Sequence, residues 1–298
     1  MKKIFMAGVG GMLGDAFYNV FKNNYEIKCT DKDVNEPWLS ELEFSNYDEY
    51  KKQVQEFKPN YLFHIGANTS LEYCEINPEE TYKYNTLSVE NAVNISNELN
   101  IPLLYISTAG IFDGKKDLYD DWDQPNPLGI YARSKFLGER FVCENSNKYL
   151  VCRAGWMMGG GPKKDKKFVQ KIMSQLKAGV KTLNIVNDKD GTPTYTIDFA
   201  NNVKLLLEKE YWGLYNMVCG GQTSRFEVAE EILKILGIEK EVKINLVSSD
   251  FFKKEYFAER PPNERLVNKK LALRNLDIMR DWKLALKDYL EKSYKNYL

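Results

Sequence analysis

The sequence predicts an α/β fold in which a doubly wound parallel sheet carries a smaller, less regular C-terminal lobe. Two observations lead there. From the N-terminus, short apolar runs alternate with longer stretches of helical period, the pattern of strand-helix-strand units that build a parallel sheet. After Ala154 that alternation gives way to a Gly- and Lys-rich segment, Gly159 to Lys167.

The expected strands are Ile4 to Gly8, Tyr25 to Thr30, Tyr61 to Ala67, Leu103 to Thr108 and Tyr149 to Ala154, most of them with β-branched or aromatic side chains. Between them Gly11 to Asn23, Tyr47 to Phe57, Glu79 to Leu99 and Ile130 to Glu144 repeat apolar residues at spacings of three and four, as helices do when they pack on the faces of a sheet. Pro59 and Pro102 each stand just before a strand and end the preceding helix. Beyond the lysines a helix ends near Gly179. Gly213 to Cys219 and the helix Phe226 to Leu236 read as late elements returning to the sheet. No internal repeat or low-complexity linker separates the parts, so the two lobes should pack closely.

Composition narrows the function. The chain has 298 residues, 43% of them hydrophobic, with 42 acidic against 42 basic residues, so it is long enough for a sizeable core and lacks the cationic surplus of a nucleic-acid binder. The five cysteines are scattered without CxxC spacing, which fits a reducing compartment. The first apolar run meets glycines too soon for a signal-peptide core, and no stretch approaches the ~20 apolar residues of a membrane span. The expectation is a cytoplasmic protein. His64 is the single histidine, which excludes a Ser-His-Asp hydrolase and a multi-histidine metal site. No acidic set for a metal stands out either. At the end of the third strand His64 reads as a satisfied buried residue.

Directly after the first strand, Gly8, Gly11 and Gly14 stand at GxxGxxG spacing in Gly8-Val9-Gly10-Gly11-Met12-Leu13-Gly14. A turn that brings backbone against a pyrophosphate tolerates no Cβ, and the helix that follows offers free N–H groups to the phosphates. In this position the pattern points to a Rossmann-type dinucleotide site, with Met12 and Leu13 in the turn. Asp31 ends the second strand, where an acidic residue holds the adenosine ribose hydroxyls and repels the extra phosphate of NADPH. It leans the cofactor toward NADH; Lys28 and Lys32 beside it pull the other way.

Twenty-three residues after Thr108 comes Tyr131-Ala132-Arg133-Ser134-Lys135, a YxxxK pattern that puts phenol and ammonium on one helix face. A nearby cation lowers the pKa of a tyrosine, so Tyr131 is expected to act as general acid to a carbonyl oxygen, with Thr108 at a strand end orienting the same oxygen.

With these motifs the chain resembles the extended short-chain dehydrogenases/reductases, most closely their dTDP-4-dehydrorhamnose reductase branch. The likeness runs through the Gly8 loop, Ile106 to Gly114, Tyr131 to Glu139, Arg153 to Trp156, Asp190 to Tyr195 and Arg260 to Leu266. It implies a dinucleotide-binding domain over 1–155, rejoined by elements near 197–219, and an interleaved substrate-binding lobe over 156–298. It implies a catalytic triad of Thr108, Tyr131 and Lys135, with Lys135 also gripping the nicotinamide ribose. Ala67 would line the cofactor, Asn85 would support the site, and Trp156, Thr192 and Arg260 would build the sugar-nucleotide pocket. The activity implied is NADPH- or NADH-dependent reduction of a 4-keto-6-deoxy nucleotide sugar, a step of polysaccharide biosynthesis, by a protein that is compatible with a homodimer.

Two alternatives stay open: a 4-epimerase with tightly bound NAD, and a regulatory subunit that keeps the fold and the cofactor site. The branch usually has Asp and Tyr after its catalytic Thr, and this chain has Ala109 and Gly110, which leaves the identity of the sugar open. The lysines at 163, 164, 166 and 167 read first as a solvated loop, with attraction for the substrate's diphosphate as the alternative.

Overall fold

The computed structural model describes residues 1–298. The strands are β1 (Lys3–Ala7), β2 (Glu26–Asp31), β3 (Leu39–Glu41), β4 (Tyr61–His64), β5 (Leu103–Thr108), β6 (Tyr149–Ala154), β7 (Trp156–Met158), β8 (Thr182–Val186), β9 (Asp190–Gly191), β10 (Pro193–Tyr195), β11 (Gly213–Asn216), β12 (Thr223–Ser224), β13 (Lys243–Val247) and β14 (Asn263–Glu264). Seven of them form one sheet in the order β11-β6-β5-β4-β1-β2-β3, and every pair in it is parallel.

The helices are α1 (Gly14–Phe21), α2 (Tyr47–Phe57), α3 (Leu71–Ile76), α4 (Pro78–Tyr82), α5 (Ser88–Glu98), α6 (Ile130–Asn145), α7 (Gly161–Lys164), α8 (Phe168–Lys177), α9 (Thr196–Glu208), α10 (Arg225–Leu236), α11 (Lys269–Leu273) and α12 (Trp282–Ser293). None is long and apolar enough to cross a membrane.

Alternation along the strands explains why the sheet is covered on both sides. In β1, Ile4 and Met6 join one core with Phe17 and Phe199, while Phe5 and Ala7 join the other with Tyr50, Val89 and Tyr105. The first core continues through Tyr195 and Tyr289 into the C-terminal lobe without a break. Small sheets build that lobe: β10 with β7, β12 and β14 on either side of β9, and β13 with β8.

Several boundaries differ from the sequence-based expectation for physical reasons. The first helix begins at Gly14, not Gly11, because Gly11 to Leu13 are spent on the turn. The stretch Glu79 to Leu99 is not one regular helix; a π-helical segment, Lys83–Leu87, joins α4 to α5, and a widened turn of this kind often marks a functional site. The third strand stops at His64, where the chain turns toward Gly66. The late strand is only Gly213–Asn216, and it lies at the sheet edge beside β6.

Candidate active site

The Gly8 turn opens at the C-terminal ends of β1 and β4, where open α/β sheets bind ligands. Gly8 takes a φ of 79°, and a Cβ there would stand 2.1 Å from the Cα of Gly66, so only glycine lets the two strand ends approach. A Cβ on Gly14 would lie 1.7 Å from the Val9 carbonyl oxygen, which is why the helix can sit so close to its strand. Gly11 has open space where a side chain would be. The N–H groups of Gly11, Met12 and Leu13 donate to no acceptor in the protein. Free amides, open space and the start of α1 together fit a dinucleotide pyrophosphate.

Asp31 closes this turn. Its carboxylate accepts from the Gly10 N–H (2.8 Å) and the Asp33 N–H (3.0 Å), which holds it beside the loop with lone pairs to spare. Lys28 and Lys32 lie over the rings of Phe5 and Tyr84. Next to the turn, Ala67 is half-buried, and the following Asn68 N–H donates to the Asn85 side chain at 2.7 Å. Asn85 in turn donates to the Asn68 carbonyl and the Ser134 hydroxyl, so the π-helical residue ties the β4 end to α6 one residue before Lys135.

Thr108 ends β5, and its Oγ1 accepts from the Gly110 N–H at 3.2 Å, which leaves the hydroxyl proton free to donate. Tyr131 and Lys135 share the face of α6 turned to β5. Glu75 of α3 accepts from the Ile130 N–H at 2.7 Å and so caps the start of α6; nothing local in the sequence signals this capping from fifty-five residues away. Tyr131 is half-buried and its phenol is pushed up to about 12, by burial first, with the Thr108 hydroxyl pulling the other way. Lys135 is buried; its Nζ donates to the Ile106 carbonyl at 2.7 Å and lies 4.2 Å from the centre of the Tyr105 ring. Burial lowers its pKa to about 7, and the neighbouring Glu139 resists that fall. The expected depression of Tyr131 by Lys135 is therefore corrected: the phenol moves up because its own burial outweighs the pull of the Thr108 hydroxyl.

Behind them, Glu139 and Arg153 form a buried pair at 2.6 Å. His64 is fully buried with Ser88 and Tyr50 at 3.2 and 3.3 Å. Ser88 gives its proton to the Tyr84 carbonyl, so its oxygen accepts from Nε2–H and Nδ1 accepts from Tyr50. Burial, then Lys135, lowers this imidazole to about 3; it is a neutral packing residue.

Beyond Ala154 a second group of aromatic and charged side chains comes together. Trp156 donates from Nε1 to Glu264 at 2.7 Å, and the Arg225 guanidinium covers the indole face at 3.7 Å. Burial brings Arg225 down to about 10, against the pull of Glu264. Arg260 pairs with Glu72 of α3 at 2.7 Å. Thr192 is fully buried, and its hydroxyl is engaged with the Leu266 backbone. Three of the four lysines of the Gly159 to Lys167 segment are engaged within the protein. Lys163 and Lys164 pair with Glu36 and Asp15 beside the glycine turn, and Lys167 donates to the Thr69 carbonyl. No cluster of three or more His, Cys, Asp or Glu side chains is arranged to hold a metal ion. Glu264 and Arg225 are absent from the sequence-based site: Glu264 lies in the family-like segment Arg260 to Leu266, of which that site includes only Arg260, and Arg225 stands in no recognisable motif.

A family model described as RmlD substrate binding domain matches residues 1–295. The chain belongs to that family. It is 29% identical over 263 residues to a dTDP-4-dehydrorhamnose reductase of Salmonella typhimurium, covering 85% of this chain and 86% of that one. Among solved structures, a dTDP-4-dehydrorhamnose reductase of Clostridium acetobutylicum superposes with a TM-score of 0.87 at 30% identity, over 97% of this chain and 99% of that one. A dTDP-4-dehydrorhamnose reductase from Bacillus anthracis in complex with NADP gives the same TM-score at 28% identity, over 98% and 100%. The RmlD family assignment thus agrees with the whole of the chain, not with its dinucleotide half alone.

Proposed function

We propose that the protein reduces the keto group of a nucleotide-activated 4-keto-6-deoxy sugar, dTDP-4-dehydrorhamnose or a near relative, with a nicotinamide dinucleotide held over the Gly8 turn. The observation that carries this is the open glycine turn at the C-terminal ends of β1 and β4, with Thr108 at the neighbouring end of β5 and Tyr131 and Lys135 on α6, in a chain that matches such reductases nearly end to end. The bound dinucleotide supplies hydride. Tyr131, titrating near 12, keeps its proton at neutral pH, the state required to protonate the sugar oxygen. Thr108 donates to the same oxygen and fixes it. Lys135, charged, offsets the phenolate left behind. The five cysteines remain free thiols, in keeping with a cytoplasmic protein.

Reduced cofactor and a nucleotide 4-keto-6-deoxy sugar should disappear mole for mole when mixed with the purified protein. Tightly retained oxidised NAD, with two epimers interconverted and no added cofactor consumed, would replace this reading by the epimerase one. A co-purifying enzyme with no turnover of any keto sugar would replace it by the regulatory one.

Two further expectations follow from the site. Burial lowers the pKa of Lys135 to about 7, yet gripping ribose hydroxyls favours the ammonium. Binding above that pH must therefore take up a proton, and dinucleotide affinity should fall by up to about tenfold per pH unit. Calorimetry in buffers of different ionisation heat reads the uptake; affinity independent of pH above 7 would remove Lys135 from the grip. We assign the lean toward NADH to Asp31. Asp31→Asn keeps an acceptor for Gly10 but drops the charge, and should shift the NADH to NADPH ratio of kcat/KM toward NADPH by a few-fold to roughly tenfold. An unchanged ratio would free Asp31 of that role.

A further inference from the structure

Gly110 leaves a hollow beside the reacting groups. From the point where its Cβ would stand, the nearest heavy atoms are Glu264 Oε1 at 3.4 Å and Thr108 Oγ1 at 3.5 Å. Glu264 and Thr108 thus border one small space, and the charge of Glu264 is also felt at the Tyr131 phenol. The carboxylate is held in place from both sides. Asn263 donates to the Lys116 and Asp117 carbonyls at 2.8 and 2.7 Å, Arg265 pairs with Asp190 at 3.0 Å, and β14 is hydrogen-bonded to β9. Only Oε2 of Glu264 is engaged, by the Trp156 indole; Oε1 has no donor within the protein.

We infer that Glu264 is a specificity-determining residue, whose free oxygen accepts a hydrogen bond from a hydroxyl on the carbon next to the keto carbon of the substrate. This rests on the reductase reading above. The chemistry restricts the role to a neighbouring hydroxyl. Negative charge develops on the keto oxygen during reduction, and a carboxylate facing that oxygen would oppose it, whereas Thr108 and Tyr131 both donate to it. An adjacent hydroxyl is a donor, and an ionised acceptor makes with it one of the stronger hydrogen bonds available. Arg225 across the indole balances the charge without competing for the oxygen, since it forms no hydrogen bond to Glu264. A substrate lacking the hydroxyl would leave the carboxylate desolvated and unpaired, which is how a polar pocket rejects such an analogue.

The test pairs two nucleotide keto sugars that differ only in that hydroxyl, against wild type, Glu264→Ala and Glu264→Gln. Wild type should prefer the hydroxylated sugar in kcat/KM by roughly 10- to 100-fold. Glu264→Ala should bring the two substrates level, and the isosteric Glu264→Gln should restore part of the preference, with dinucleotide affinity unchanged in both as the sign of an intact fold. A preference that survives in Glu264→Ala, with both substrates slowed by the same factor, would reduce Glu264 to a support for Trp156 and overturn the inference. Calorimetric binding of the two sugars to the cofactor-loaded protein reads the same ratio without turnover. If wild type binds and discriminates but does not reduce, the reductase reading fails while Glu264 keeps its role; if it binds both equally, Glu264 loses it.

Discussion

Replacing Tyr131 by Phe should lower kcat by roughly 100- to 10,000-fold, the range that a positioned general acid contributes. The substitution removes one oxygen from a half-buried ring and leaves its packing, so the fold should be unaffected. Because the lost proton matters only as charge develops on the sugar oxygen, kcat and kcat/KM should fall together while dinucleotide affinity stays near wild type. Steady-state rates of cofactor oxidation, combined with a fluorescence titration of the cofactor, check both halves. Equal rates in the two proteins would remove Tyr131 from proton transfer and leave Thr108 or solvent as the donor.

Glu139→Ala should cost about 3–5 kcal/mol of folding stability, read as a drop in the urea midpoint. Glu139 and Arg153 expose only 3% and 4% of their side chains, and the pair is bidentate, with contacts from Nε at 3.0 Å and from Nη2 at 2.6 Å. Removing the carboxylate strands a guanidinium whose Nη1 already has no partner. A loss under about 1 kcal/mol would mean that water reaches Arg153, since an exposed pair contributes no more than that. The milder Glu139→Gln removes the influence that keeps Lys135 protonated, so the pH above which dinucleotide binding weakens should move below 7.

How much of this was legible in the residues depends on whether the signal is local. The central strands and the helices at Tyr47–Phe57 and Ile130–Asn145 were readable because burial on both faces leaves apolar runs and a clear 3.6-residue period. Gly8 was readable because a positive φ and a backbone-to-backbone approach leave one residue type. That Thr108 ends a strand and that Tyr131 and Lys135 share one helix was readable from spacing and chain order. What was not readable depends on residues far apart. Thr192 sits in the right segment, but only the packed structure shows its hydroxyl taken by Leu266. The direction in which Tyr131 moves could not be seen either, because spacing brings the two groups onto one face and says nothing of the water excluded around them. Glu264 lies in the family-like segment Arg260 to Leu266, but its partner Trp156 is one hundred and eight residues away, and nothing local shows that the two meet.

The chain crosses between its two parts more than once: β7 leaves the sheet to pair with β10, α9 returns to lay Phe199 against Phe17, β11 closes the sheet edge, and Tyr289 near the C-terminus donates to the Gly159 carbonyl at 3.0 Å. No single splice point therefore separates the small sheets of the lobe from the seven-stranded sheet. A region threaded through the fold in this way cannot be lifted out as a cassette by one cut in the chain.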